Sequence, residues 1–145
     1  MSGIVCALRG GPSSQPTIHR AISLAKETNL SLFFLYVVNL EFLDHTASSR
    51  TQIISKELAE MGEFILLTAQ ARAETQGVTA QGIVRHGHVT EEIAALCHEI
   101  DAGYLVIGQP QLQNEDNVFT DALHQAFIQR IELQTGAKVV LSEEQ

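Results

Sequence analysis

A turn that carries two glycines, Arg9-Gly10-Gly11-Pro12, follows the first apolar run of the sequence. Serines and Pro16 come next, and both residue types favour the first turn of a helix. Backbone N–H groups at a helix N-terminus attract anions, and an arginine can hold a phosphate or carboxylate through two parallel hydrogen bonds. The turn is therefore a candidate anion site, with a plain chain reversal as the alternative. It is not a Walker A loop, because no Lys-Ser or Lys-Thr follows.

Histidine and cysteine, the other residues that could do chemistry, do not form a set. His86 and His88 have the His-x-His spacing that can chelate a metal, but no neighbour in the sequence completes the ligands. Two exposed turn histidines are the favoured interpretation, and no metal is expected. Cys6 and Cys97 each lie in an apolar pattern, which predicts buried, reduced thiols. His98 follows Cys97, yet consecutive helical residues point apart, so a Cys–His nucleophile is not expected.

Composition limits the class of protein. The chain has 145 residues, 45% of them hydrophobic and 18% charged, which predicts one globular domain over residues 1–145. The longest apolar run, Leu32–Val38, is too short to cross a membrane. No basic segment precedes an apolar stretch at the N-terminus, so we expect a cytoplasmic protein without a secretory signal. The net charge of −8, with scattered basic residues, makes nucleic acid a poor partner.

Five short apolar runs have the length and composition of strands. They are Ile4–Leu8, Leu32–Val38, Val78–Arg85, Tyr104–Ile107 and Lys138–Leu141. The second is apolar on both faces, which is typical of a central strand in a parallel sheet. The third alternates with polar residues, which predicts an edge strand.

Four helices are predicted between these strands, because apolar residues recur there every three or four positions. The fourth is predicted over Val118–Gln134. The predicted core faces, in chain order, are Ile18, Ala21, Ile22 and Ala25; Ile54, Leu58, Met61, Ile65 and Thr68; Ile93, Leu96, Cys97 and Ile100; and Phe119, Leu123, Phe127 and Ile131.

Capping residues indicate where the helices begin and end. Ser13 or Ser14 suits the start of the first helix, and Thr90 or a neighbour suits the third. The predicted ends lie at residue types that favour a helix stop, namely Asn29, Gly77, Gly103 and Gly136. Residues 39–51 and 109–117 are predicted as polar loops.

Regular alternation of strands and helices predicts a doubly wound α/β fold: one five-stranded parallel sheet, order 3-2-1-4-5, with helices on both faces. Ligands of such sheets bind at the carboxyl ends of the strands, where the strand order reverses. Here the reversal lies between strands 1 and 4, with the end of strand 2 beside it. The candidate binding residues are therefore Arg9, Gly10, Gly11, Val37, Val38 and Gly108.

Several stretches along nearly the whole chain resemble the universal stress protein family. Ile4–Leu8 with its small-residue turn resembles the family's first strand, and Ala21–Ala25 resembles its first helix. Leu35–Val38 resembles the end of the second strand. Gly87–Ile93 resembles the G-x-P-x-x-x-I entry to the third helix, and Asp101–Gly108 resembles the strand written aDLIVmG. The resemblance implies the fold called adenine nucleotide alpha hydrolase-like.

The resemblance also bears on ATP. Family members that bind ATP carry G-x2-G-x9-G-[ST] after strand 4 and an acidic residue after strand 1. This sequence keeps Gly108, but Gln111 stands at the second glycine, and Phe119-Thr120 is the nearest counterpart of the last pair. Arg9 stands where the acid is expected. The resemblance therefore implies a member that does not bind ATP in the usual way, and no cofactor is expected.

Charge in the loop after strand 4 suggests what Arg9 does. Glu115, Asp116 and Asp121 would repel a triphosphate, and one of them could pair with Arg9 and fill the crevice. The alternatives are an open anion site at Arg9 and a free surface arginine.

Three functions follow from these observations. The first is a cytoplasmic binding or regulatory module that is dimeric and not an enzyme, with a protein client as candidate partner. The second is a divergent nucleotide binder that uses the Arg9-Gly10-Gly11 and Gly108 crevice. The third is an enzyme of the same fold, although no G-x-S-x-G elbow or pair of carboxylates is present.

The last strand suggests how a dimer would form. An exposed apolar edge strand tends to be paired, and the family's dimers join through this strand. We expect Val139, Val140 and Leu141 to meet their copies antiparallel across a two-fold axis. The alternative is an edge protected by the acidic tail.

Overall fold

Five strands alternate with four helices in the part of the chain that the structure describes. The computed structural model describes residues 3–9, 14–38, 48–108 and 117–142, and of these the side chains of 48–52, 117–124 and 142 are not described. The elements are β1 (Gly3–Leu8), α1 (Ser14–Thr28), β2 (Ser31–Val38), α2 (Ser48–Thr75), β3 (Ala80–His86), α3 (Val89–Glu99), β4 (Tyr104–Gly108), α4 (Asn117–Thr135) and β5 (Lys138–Ser142).

The strands form one parallel sheet in the order β3-β2-β1-β4-β5, which confirms the predicted architecture. β1 lies in the middle because its residues Ile4, Val5 and Cys6 are fully buried on both faces. The polar alternation of β3 correctly indicated an edge strand.

Two apolar cores cover the two faces of the sheet. α1 and α2 pack on one face with Ile4, Cys6 and Phe34, and α3 and α4 pack on the other with Val5 and Leu35. Cys6 and Cys97 are both buried, as predicted, and they lie in different cores with the sheet between them. Burial raises the pKa of both thiols, to about 12 for Cys97, so both are protonated at neutral pH.

Positive backbone φ angles end the helices. Asn29, Gly77 and Gly136 have φ angles of 58°, 79° and 76°, which confirms three of the four predicted stops. The fourth was wrong: Asp101, with a φ of 53°, reverses the chain after α3. Gly103 lies two residues later, where its N–H donates to the carbonyl of Gly3 at 2.8 Å and begins the sheet contact.

The predicted helix starts also need correction. Ser14 is the first residue of α1 and Thr90 lies inside α3, so neither precedes its helix as a cap. His88 is the N-cap of α3, without a side-chain capping hydrogen bond. α2 begins at Ser48, so residues 48–51 are helical rather than irregular. Ser13 and residues 39–47 lie outside the described residues.

The core face of α2 differs from the predicted stripe. Met61 is 50% exposed and Thr68 is also exposed, whereas Ile65 is half-buried. The residues that α2 buries against the sheet are mostly small: Gly62, Leu66, Ala69 and Ala73. Small residues let the helix approach β2 and β3 closely, and this close approach fixes the rotation of the helix. The predicted stripe lies at one border of the buried face, with Ile54, Leu58 and Ile65 half-buried, so the apolar period alone did not fix the rotation of the helix.

Among the described residues, no helix is both long enough and apolar enough to cross a membrane.

Candidate functional site

Parallel pairing brings the carboxyl ends of β1, β2 and β4 to one edge of the sheet. Leu8 lies opposite Tyr36, so Arg9 follows at the level of Val37. Cys6 lies opposite Val106, so Gly108 ends β4 beside the end of β1. Arg9 is exposed, while Val37 and Gly108 are half-buried. The strand order reverses at this edge, which makes it the place where a doubly wound sheet binds ligands.

Part of the predicted crevice lies outside the described residues. These are Gly10, Gly11, Glu115 and Asp116, together with the side chain of Asp121. The binding role of the six candidate residues and the ion pair of Arg9 with the loop carboxylates stay predictions. The described part of the edge presents one exposed cation and apolar walls, which suit an anionic ligand more than acid–base chemistry.

The end of β2 is closed by the turn that follows β3. The carbonyl of Val38 accepts a hydrogen bond from the N–H of Gly87 at 3.0 Å, and the Val38 side chain is only 2% exposed. Gly87 has a φ of 144°, and a Cβ there would lie 2.8 Å from Oε2 of Glu92. Any residue with a Cβ would be strained in this turn, so glycine is favoured there. Of the two valines that end β2, Val37 is therefore the more exposed.

His86 and His88 flank this turn, and both are exposed, in agreement with the favoured interpretation of the His-x-His spacing. Within the described ranges, no group of three histidine, cysteine or acidic residues could hold a metal ion. The described residues therefore give no support to a metal site.

Arg85 connects the edge strand β3 to α3 through a contact that the sequence analysis did not identify. Its two terminal nitrogens each lie 2.8 Å from an oxygen of Glu99, and Nη1 lies 3.9 Å from Oε1 of Glu92. The hydrogen bond from Arg85 holds the pKa of the Glu99 carboxyl below its usual value and raises the pKa of the guanidinium. The sequence places Glu92 and Glu99 on one face of α3, two helical turns apart, but no local pattern sets that face beside Arg85.

Glu99→Gln is expected to lower the melting temperature slightly at neutral pH, because exposed ion pairs contribute little. The lowered pKa of Glu99 means that the stabilisation is complete above the ordinary value of 4.5 and is lost as pH falls through the lowered value. Melting curves of both proteins across the acid range should therefore converge at low pH. A difference that persists there would show that the effect is not ionic. Glu27→Gln, on the exposed surface of α1, is the matched control.

A basic cleft of about 740 Å³ lies where α1, α2 and the edge strand β5 meet. His19, Arg20 and Arg72 line it together with Val140 and Leu141. Among the described residues, the buried side-chain oxygen of Gln15 in this cleft has no hydrogen-bond partner. The cleft gathers positive charge in a protein with a net charge of −8, so Arg72 lies in surroundings that favour a carboxylate partner.

The free edge of β5 is partly capped by its own chain. The N–H of Lys138 donates to the carbonyl of Gly103 at 2.9 Å, toward β4. The next N–H, that of Val139, donates to Oε2 of Glu132 at 3.1 Å. Because donors alternate along a strand, the N–H groups of Val139 and Leu141 point away from β4. The side chains of Val139, Val140 and Leu141 are half-buried, with Val140 packed on one core and Leu141 on the other.

Gly62 of α2 packs directly against the ring of Tyr36 in β2. A Cβ at residue 62 would overlap Cδ2 of Tyr36 and would lie 2.8 Å from Cε2 and 2.9 Å from Cγ. Farther along α2, the Gln70 side chain donates to the carbonyl of Ala80 in β3 at 3.0 Å. A glycine inside a long predicted helix was the only sequence signal for this contact.

The arrangement therefore defines a doubly wound α/β protein with a candidate anion-binding edge beside β1 and β4. The family model of the universal stress proteins matches residues 1–126, and the chain belongs to this family. None of the curated proteins matches the chain in sequence. The matched residues include β1 to β4 and leave β5 outside.

Solved structures of the family share the fold. A universal stress protein family member from Burkholderia pseudomallei is 22% identical, with a TM-score of 0.69 over 97% of this chain and 94% of that one. A universal stress protein solved in complex with cAMP is 20% identical, with a TM-score of 0.72 over 99% and 98% of the two chains. UspA from Lactobacillus plantarum is 14% identical, with a TM-score of 0.80 over 98% and 97%.

Proposed function

We propose that residues 1–145 form one universal-stress-type domain that acts as a binding and regulatory module in the cytoplasm, without catalytic activity. It works as a homodimer and does not bind ATP in the way of the family's ATP-binding members. One observation carries the proposal: at the edge where the strand order reverses, the sequence has Arg9 after β1 and Gln111 in place of the second glycine after β4.

The loss of these glycines matters because of backbone access. Glycines let amide groups approach phosphate oxygens closely, and a Cβ blocks that approach. Gln111 and Asp121 stand at the second and third glycine positions of the ATP-binding pattern counted from Gly108, and Glu115 and Asp116 add negative charge to the same loop. The residues present do not fit a triphosphate.

The homodimer is supported by the edge position of β5. Val139 and Leu141 direct backbone donors away from β4, and an antiparallel copy of β5 would accept them. Glu132 accepts the Val139 N–H within the chain and must release it for such pairing. Dimerisation therefore requires that a backbone carbonyl of the second copy's β5 replaces the Glu132 side chain as the acceptor of the Val139 N–H.

Thermal melting with added nucleotide tests the proposal. A ligand at about 100 times its Kd stabilises a protein by about 2.7 kcal/mol, which raises the Tm of a protein this size by about 5–11 °C. We expect millimolar Mg-ATP to raise the Tm far less than this. A shift of that size, or ATP that stays bound through purification, would contradict the proposal.

A different nucleotide is the second candidate ligand, supported by the exposed Arg9 and by the cAMP complex of a protein with the same fold. A cyclic nucleotide or a nucleoside monophosphate carries fewer negative charges than ATP. It therefore needs fewer close contacts with the backbone amides of the glycine loop. Under this alternative, cAMP raises the Tm and Arg9→Ala abolishes the rise. Arg20→Ala, in the basic cleft on α1, is the matched control that leaves the rise intact.

A further inference from the structure

The basic cleft between α1, α2 and β5 is a cavity that the proposed function does not use. Its volume of about 740 Å³ lies within the range of about 300–1,000 Å³ that is typical of small-molecule sites. Three basic side chains line it, those of His19, Arg20 and Arg72, together with the amide of Gln15. Among the described residues, no acidic side chain lines this cleft. The cavity therefore combines the size of a ligand site with an unbalanced positive charge.

The packing of two helices brings these basic residues together. Nζ of Lys26 in α1 donates a hydrogen bond to Oε1 of Gln76 in α2 at 3.5 Å, so these sides of the two helices face each other. By helical period, His19 lies two turns before Lys26 on the same side of α1. Arg72 likewise lies one turn before Gln76 on the same side of α2. His19 and Arg72 therefore border the gap between the helices, and Arg20 and β5 complete the lining.

The two arginines of the cleft have no anionic partner within the described part of the chain. Arg20 is half-buried and Arg72 is exposed, and neither guanidinium forms an ion pair there. Glu27 lies about 10 Å along the α1 axis from Arg20, and helical period sets Glu74 on the side of α2 away from Arg72. A guanidinium is always charged and carries only donors, so the group that each arginine binds most strongly is an anion.

The amide of Gln15 requires a different kind of partner. Its side-chain oxygen is buried at the cleft, and no donor of the described residues reaches it. An amide oxygen only accepts hydrogen bonds, and a buried acceptor without a donor is unfavourable. A carboxylate or phosphate group by itself offers acceptors to this oxygen and cannot satisfy it. A ligand that suits the whole cleft therefore carries an O–H group beside its negative charges.

We propose that this cleft binds a small hydroxylated dianion. Arg20 and Arg72 bind its negative charges, Gln15 accepts a hydrogen bond from its hydroxyl group, and His19 donates a ring N–H. A hydroxylated dicarboxylate and a sugar phosphate share this chemistry. The inference does not rest on the proposed function, because Arg9, Val37 and Gly108 do not line the cleft.

NMR titration of the full ¹⁵N-labelled chain tests the proposal, with L-malate and ribose 5-phosphate as probes at constant ionic strength. We expect saturable shifts at the residues of the cleft with at least one probe, and the probe that binds identifies the anionic group. Saturation with neither probe would overturn the proposal.

Arginine variants test which charges hold the ligand. Arg20→Ala and Arg72→Ala should each raise the dissociation constant about tenfold, since each removes one charged contact. Arg130→Ala is the matched control, because Arg130 is an exposed arginine of α4, which packs on the other face of the sheet. Equal weakening by Arg130→Ala would show a general charge effect and would overturn the site. Circular dichroism confirms folding, and Arg72 is at an exposed position.

Succinate tests the role of Gln15, because it is malate without the hydroxyl group. If malate is the probe that binds, we expect it to bind about tenfold more tightly than succinate, since only malate satisfies the Gln15 oxygen. In Gln15→Met, which keeps the length of the side chain but lacks the acceptor, the two dissociation constants should become equal. A preference for malate that survives in Gln15→Met would overturn the assignment of a hydroxylated ligand.

An acidic peptide is the alternative occupant that the same titration examines. The peptide Ser-Glu-Glu-Gln, which has the sequence of residues 142–145, carries two carboxylates and backbone N–H donors. Saturable shifts at the cleft with this peptide, and none with either small dianion, would assign the cleft to an acidic protein segment and overturn the proposal. Binding of a small dianion at least tenfold more tightly than the peptide would support it.

Discussion

Gly62→Ala is expected to lower the free energy of unfolding by about 1–2 kcal/mol, although alanine is the better helix former. Helix propensity alone would stabilise the variant by about 0.5–1 kcal/mol. The new Cβ, however, overlaps Cδ2 of Tyr36 and lies within 2.9 Å of two further ring atoms, and overpacking of this kind costs about 1–3 kcal/mol. Denaturant unfolding of both proteins measures the difference.

Two further variants identify the cause. In a Tyr36→Leu background the overlap is removed, so Gly62→Ala should become neutral or stabilising, and the double-mutant cycle gives the coupling. Ala71→Gly, at an exposed position of the same helix, reports the size of the propensity effect. A stabilising Gly62→Ala in the wild-type background would mean that α2 does not lie this close to β2.

Leu141→Pro is expected to abolish pairing through β5 and to halve the mass of a dimer that is held by this strand alone. Proline removes the N–H that points away from β4 and leaves the donors toward β4 intact. Light scattering or sedimentation reports the mass.

Leu141→Ala is the matched control for the edge, because it loses the same side-chain packing but keeps the N–H. It should remain dimeric. Glu132→Ala should strengthen the dimer, since it frees the N–H of Val139 from its internal acceptor. A protein that is monomeric before any substitution, or a Leu141→Pro variant with unchanged mass, would refute the pairing through β5.

The amino-acid sequence alone determined the order and type of the elements. Strands such as Leu32–Val38 are apolar on both faces because helices cover both sides of a parallel sheet, and that pattern is local. Handedness of the crossovers then leaves few strand orders. Asn29, Gly77 and Gly136 marked helix ends correctly because a left-handed backbone is a property of single residues.

Contacts between distant residues were not available from local patterns. Arg85 and Glu99 are 14 residues apart, and only the packing of α3 on β1 and β2 brings them to 2.8 Å. The end of α3 was assigned to Gly103 because glycine is the usual residue there, yet Asp101 adopts the left-handed backbone. Tertiary packing decides which of two nearby residues turns the chain.

The rotation of α2 about its axis and the hydrogen bonding at the β5 edge also depend on contacts between distant residues. The apolar period of α2 is nearly continuous around the helix, so the sequence predicted Met61 inside, whereas close packing against Tyr36 requires Gly62 there. That requirement turns Phe64 and Leu67 outward. The sequence likewise placed β5 at an edge, but only the fold brings Glu132 to the N–H of Val139. Periodicity shows that a helix or strand has an apolar face, and the shape of its neighbours decides which face is buried.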